Sequence, residues 1–102
     1  MWKALYAAHA DVVLNGHDHL YERFAPQDPN QNADPNGMSQ FIVGTGGDDH
    51  GSFDSNIEPN SQIRDGSSFG VLEMTLHPKG YDWQFVPTPG GTFTDQGSAS
   101  CR

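Results

Sequence analysis

Ala10-Asp11-Val12-Val13-Leu14-Asn15-Gly16-His17-Asp18-His19-Leu20-Tyr21-Glu22-Arg23 is the stretch on which the reading of this chain turns. Val12-Val13-Leu14 is a short apolar run of the kind that forms a strand buried on both faces. Asn15-Gly16 closes it with turn chemistry, and ionisable side chains follow at once. A strand, a glycine turn and then polar groups is the layout that sets functional side chains at the carboxyl end of a strand. On extended backbone, His17 and His19 project to the same side. Neutral imidazole ligates zinc, iron, manganese or nickel, and Gly16 lets the backbone turn sharply before the first ring. Asp18 either points away from the pair or fixes a ring tautomer from behind. A bare His-x-His is more often a surface pair than a ligand pair, so the surroundings have to decide.

Before this stretch, Trp2, Leu5, Tyr6 and His9 fall at helical spacing among four alanines, which predicts a short helix over 2–9. No capping residue precedes it, so further chain is expected upstream. After it, Pro26 to Gly37 is a polar loop. Gln40-Phe41-Ile42-Val43 is a second buried strand that ends at Gly44-Thr45-Gly46-Gly47. Asp48 to Ser68 is a long polar loop, either functional or packed on something else. Phe69 to Leu76 is a strand with Leu72, Met74 and Leu76 on one face. A four-residue connection, His77-Pro78-Lys79-Gly80, leads to a strand in which Tyr81, Trp83 and Phe85 alternate with polar or smaller residues. The expected fold is α+β, mostly β with one short N-terminal helix. It occupies residues 1–87, with a loose Gly/Ser/Thr-rich tail over 88–102.

Composition sets outer limits. The 102 residues suffice for one small domain. Leu, Ile, Val and Phe number nineteen and the formal charge is −8, which leans toward disorder. Eleven aromatics pull the other way, since large rings bury much area each. Thirteen acids against five bases match neither nucleic acid nor an anionic membrane surface. No apolar stretch is long enough to span a bilayer, and no secretory signal is readable. Cys101 excludes an internal disulfide and a cysteine-based zinc site; it is a free thiol or half of a bridge to another chain.

In its setting, the 10–23 stretch resembles the last signature block of the calcineurin-like metallophosphoesterases. Its Gly-His-x-His-x-Tyr-Glu-Arg run is closest to the purple acid phosphatase branch. Residues 24–30, 40–47 and 69–72 and the Tyr81-Asp82-Trp83 strand resemble the segments that follow that block. The resemblance covers nearly all of this chain but only the C-terminal part of the family's catalytic domain, a helix-flanked β-sandwich (αββα). It implies hydrolysis of phosphate esters at a dinuclear centre of iron, zinc or manganese, with metal-bound solvent as the nucleophile. His17 would ligate one ion and His19 the other. Asp18, Arg23, Gly46 and His50 are candidates for supporting or substrate contacts.

The family's other donors (an aspartate, a bridging aspartate, an Asn-His pair, a further histidine and, in the purple branch, a tyrosinate) have no counterpart among the sixteen residues before His17. Two imidazoles cannot by themselves hold two hard cations in catalytic geometry. The chain is therefore expected to be a C-terminal piece of a phosphatase, inactive alone, with the N-terminal part of the domain as its partner. The rival reading is a non-catalytic remnant or interaction module that binds one metal weakly or complements a separate N-terminal half. Open strand edges predict aggregation or edge-paired dimers in isolation. Family habit implies secretion or a periplasmic location.

Other features have plainer readings. Gly44-Thr45-Gly46-Gly47 lacks a P-loop ending and fits a tight strand exit better than a phosphate cradle. Asp48, Asp49 and His50 read first as a solvated loop, with a weak metal or substrate contact as the alternative. Asp28, Asn30, Asn32 and Asp34 alternate like a calcium loop, but Ala33 and Ser39 stand where Gly and Glu are required. Arg23 reads as a structural tie before a phosphate contact.

Overall fold

Alternation along Tyr21-Glu22-Arg23-Phe24 sorts this molecule into two faces. The computed structural model describes residues 1–102. Tyr21 and Arg23 point toward a second sheet, whereas Glu22 and Phe24 point away from it. The elements are α1 (Trp2–Ala7), β1 (Val12–Asn15), β2 (Tyr21–Phe24), β3 (Ser39–Val43), β4 (Ser61–Asp65), β5 (Gly70–His77), β6 (Gly80–Pro87) and β7 (Gln96–Ser100). They form a four-stranded sheet of order β1-β3-β2-β4 and a three-stranded sheet of order β5-β6-β7. Only β1 and β3 run parallel. The fold is thus α+β and mostly β, with one short N-terminal helix, as expected. No helix is long and apolar enough to cross a membrane.

The core is small and aromatic, which compensates for the shortage of aliphatics. Tyr21, Phe41 and Phe85 are fully buried, with Val12, Val43, Ile63, Leu72, Trp83 and Phe93 packed around them. The rings meet tilted or edge-on: Tyr21 lies 5.0 Å from Phe85, and Phe41 lies 5.4 Å from Trp83 at 68°. These are the favoured arrangements for aromatic quadrupoles. Only 12 of the 102 residues are buried, so the few polar ties between the sheets carry weight. The main one is Asp95. Tyr21 Oη donates to its Oδ2 at 2.7 Å, and Arg23 forks onto it with Nε at 2.7 Å and Nη2 at 3.2 Å. The Arg23 guanidinium also lies 5.2 Å from the centre of the Trp83 ring.

Several expectations fail for local physical reasons. The helix stops at Ala7, because His9 adopts a left-handed φ of 60° and reverses the chain. β1 is not buried on both faces: it is the sheet edge, and Leu14 is 56% exposed. Leu14 borders an open groove of about 330 Å³ between the sheets, with Val43 and Leu72 on the other walls. The 48–68 loop contains β4, which pairs antiparallel with β2. The β5–β6 connection is two residues, not four, since His77 pairs with Gly80. At the end of β5, Leu76 is 77% exposed and leaves its stripe unburied.

The 88–102 tail is not loose. Thr94 Oγ1 donates to the Phe85 carbonyl at 2.7 Å, and the Phe85 N–H donates to the Asp95 carbonyl at 2.7 Å. The chain then continues as β7 along β6. Its last residue returns to the start: the Arg102 N–H donates to Asp11 at 2.9 Å, and its guanidinium packs on the Tyr6 ring.

Burial alone pushes the Asp95 carboxyl up, but the hydrogen bonds from Arg23 and Tyr21 outweigh it and hold it below the usual carboxylate range. Tyr21 is pushed well above an ordinary phenol, by burial first and then by its bond to Asp95. The Asp95 contribution to stability is therefore whole above about pH 4 and fades as pH falls through the lowered folded value. The Tyr21 contribution is whole below about pH 10 and fades as pH rises beyond it. Asp95→Ala, which strands a half-buried guanidinium, is expected to cost about 3 kcal/mol at neutral pH in denaturant unfolding. Asp95→Asn is expected to flatten the acid limb of the stability curve. An acid limb identical to wild type would show that Asp95 is not the group responsible.

Candidate metal centre

The loop that carries the histidines is held by backbone contacts. Leaving β1, the chain bends through 17–20, and His17 takes a left-handed φ of 73°. The backbone here is not extended, so strand alternation does not set the directions of the two rings. The exit of β3 grips this bend from the other side. The Gly44 N–H donates to the Leu20 carbonyl at 3.0 Å, and the Gly51 N–H donates to the His19 carbonyl at 2.7 Å. A Cβ on Gly44 would stand 1.9 Å from the Asp18 carbonyl oxygen, closer than any real contact. Gly44 is therefore required by close approach of two backbones.

His17 and His19 open onto one cleft of about 400 Å³, shared with Asp18, Glu22, Asp54, Glu58 and Arg64. Four carboxylates against one guanidinium make it a cation-attracting hollow. Arg64 is braced there: its Nε lies 3.3 Å from Glu22 Oε2, and its guanidinium sits 3.9 Å from the centre of the Phe53 ring. Ser61 Oγ donates to the same Glu22 oxygen at 2.5 Å. Above the cleft, His19 Nδ1 is paired with Asp49 Oδ1. That hydrogen bond, opposed by partial desolvation, raises the imidazole above its ordinary range. His19, Asp48 and Asp49 each offer a donor atom, all within 4.8 Å of one another.

The remaining candidates lie elsewhere. Arg23 faces the opposite side of β2, engaged with Asp95, because residues 22 and 23 alternate across the sheet. It is the structural tie and not a group of the cleft. Gly46 lines the groove between the sheets beside Gly16, apart from the histidine cleft. His50 stacks on Phe69 at 4.0 Å and 17° and does not join the pair. Asp18 borders the cleft but its main structural role is through its backbone. Conversely, Arg64, Glu58 and Asp54 escape sequence reasoning, since they sit in polar segments without periodicity. Asp48 and Asp49 lie on an exposed loop, as read from the sequence, and that loop carries them to His19. Their adjacency to the glycine turn was the available signal.

An imidazole and carboxylate cleft at a strand exit of a mixed sandwich is a class of site suited to divalent cations. Comparison with known proteins narrows it. The chain is 45% identical over 69 residues to purple acid phosphatase 21 of Arabidopsis thaliana, a match covering 65% of this chain and 15% of that protein. It is 42% identical over 73 residues to purple acid phosphatase 22 of the same plant, covering 69% of this chain and 16% of that protein. The chain therefore spans about one sixth of the length of these relatives, and the match supports a purple acid phosphatase-like relationship. No family model and no solved structure matches.

If Gly44 holds the histidine bend, Gly44→Ala must push the 17–20 loop away. It is expected to lower the melting temperature by about 10 °C, as overpacking by one methyl against backbone in a domain of this size does. Gly46→Ala, with nothing within 4 Å of its Cβ, is expected to change it by less than about 2 °C. Equal melting of the two variants in a calorimetric scan would refute the clamp.

Proposed function

We propose that these residues form part of a metal-dependent phosphoric ester hydrolase of the purple acid phosphatase kind. The observation that supports it is the coincidence of two things at one place. The Gly-His-Asp-His bend opens on an acid-rich cleft, and the chain carrying it matches two phosphatases at over 40% identity. The donor set fits such a centre in chemistry, since imidazoles and carboxylates suit iron, zinc or manganese. His17 and His19 would each hold one of two cations. When bound, the pair supplies charge neutralisation for the phosphate and an activated water.

The chain's own groups have definable parts in this reading. Gly44 and Gly51 fix the bend so that the ligand rings need little reorganisation. Arg64, the only Lys or Arg on the cleft wall, orients phosphate oxygens, and Glu22 and Phe53 prevent it from swinging away. Asp18 keeps its backbone under the Gly44 exit, and that contact limits the motion of both rings. The further donors implied by the resemblance come from polypeptide outside these residues, so turnover belongs to the longer protein. The same reading carries an expectation of export from the cytosol.

A chimera tests it. The matching segment of purple acid phosphatase 21 is replaced by this chain, and hydrolysis of p-nitrophenyl phosphate is followed in the presence of iron, zinc or manganese. The chimera is expected to turn over, and His17→Ala or His19→Ala to reduce kcat at least about 100-fold. The 102-residue chain alone is expected to be silent. Retention of full turnover by both histidine variants would refute the proposal.

A further inference from the structure

The outer face of the mixed sheet, away from the aromatic core, carries a second hollow that the metal reading leaves unused. Trp2 of α1, Phe24 of β2, Gln40 of β3 and the intervening Gln27 line about 270 Å³ there. Gln27 is only 6% exposed. Its backbone N–H donates to the Met38 carbonyl at 3.1 Å, and the Met38 N–H donates back at 3.0 Å. Its side chain is fixed as well. Asn60, held at a left-handed φ of 68°, donates from Nδ2 to the Gln27 amide oxygen at 3.0 Å and to the Gln31 carbonyl at 2.8 Å. The Gln27 amide nitrogen has no partner within the chain. A polar group so buried and so firmly oriented seldom goes unpaired, and a spare donor beside a cavity points to an acceptor on a ligand.

The other polar groups define that ligand. Gln40 Nε2 donates to Asn15 at 2.8 Å, which leaves the Gln40 amide oxygen as an acceptor. Glu58, which also borders the histidine cleft, adds a carboxylate at the rim. Asp28 adds none, because its oxygens are taken by Asn30 and Asn32 of its own turn. No lysine, arginine or histidine lines the pocket, so an anion is disfavoured. An ammonium ion only donates and would leave the Gln27 N–H unpaired. A hydroxyl donates and accepts, and the Trp2 and Phe24 rings supply apolar surface beside it.

We propose that this pocket binds one neutral sugar residue. Its hydroxyls bridge Gln27, Gln40 and Glu58, and the C–H face of its ring rests against Trp2 and Phe24. Asn60 is a positioning residue that aims the Gln27 donor. The site is independent of the phosphatase reading, and the sugar need carry no phosphate.

Nuclear magnetic resonance titration of the ¹⁵N-labelled 102-residue chain tests it, with the methyl glycosides of glucose, mannose, galactose and N-acetylglucosamine as probes. At least one is expected to give saturable shifts of the Gln27 side-chain amide and the Trp2 indole, with the Trp83 indole unmoved. Gln27→Glu keeps the acceptor for Asn60 and removes the donor; it is expected to weaken binding about tenfold. Trp2→Ala is expected to weaken it by a similar factor, and Glu58→Gln, an exposed position that spares the fold, by about threefold. Circular dichroism checks the folding of each variant. A di- or trisaccharide of the responding sugar that binds more tightly supports the pocket and marks a glycan end as the source; equal affinity supports it with the single unit as the source. Absence of saturable shifts with all four glycosides overturns the site. So does a larger response of the same amide and indole to choline, or unaltered sugar binding in the Gln27 and Trp2 variants.

Discussion

The carboxylate of Asp95 joins the two halves of this molecule. With so few buried residues, the sheets cannot rely on aliphatic contact alone. Their registry is fixed where Tyr21 and Arg23 of the central strand reach the same side chain from the segment before β7. The arrangement is charge-assisted and two-pronged, and it leaves neither carboxylate oxygen of Asp95 without a partner. It also places β2 firmly, and β2 is the strand that follows the histidine bend. The position of the cleft thus depends on a contact on the opposite face of the sheet.

The same alternation explains the division of labour along residues 20–24. Inward-facing Tyr21 and Arg23 hold the sandwich together, while outward-facing Glu22 fixes Arg64 on the cleft wall. Adjacent residues serve the core and the site because a strand presents them to opposite sides. A one-residue slip in β2 would exchange the two sets, which is a strong reason for its register to be unique.

Much of this was legible in the sequence where apolar residues carried the signal. Val12-Val13-Leu14, Gln40-Phe41-Ile42-Val43, the Leu72-Met74 stripe and the Tyr81-Trp83-Phe85 alternation all mark strands that exist. β4 and β7 were not legible, because Ser61-Gln62-Ile63-Arg64-Asp65 and Gln96-Gly97-Ser98-Ala99-Ser100 have no apolar periodicity. Each becomes a strand only because a neighbour offers backbone partners. Asp95 was unreadable for a related reason, since its partners lie more than seventy positions away. At the candidate site, the His-x-His spacing was visible but its backbone was not. A left-handed histidine has no sequence mark comparable to glycine. The approach of Asp48 and Asp49 to His19 depends on where two loops meet in space.

The two-residue turn at Pro78-Lys79 has a consequence for how the polypeptide assembles. β5, β6 and β7 follow one another as neighbouring hairpins, so their pairing closes short loops and loses little chain entropy. The other sheet must bring Glu22 against Arg64 and align β1 beside β3 through a crossover. Nucleation at the meander, with the mixed sheet condensing onto its aromatic face, is the order that this topology favours.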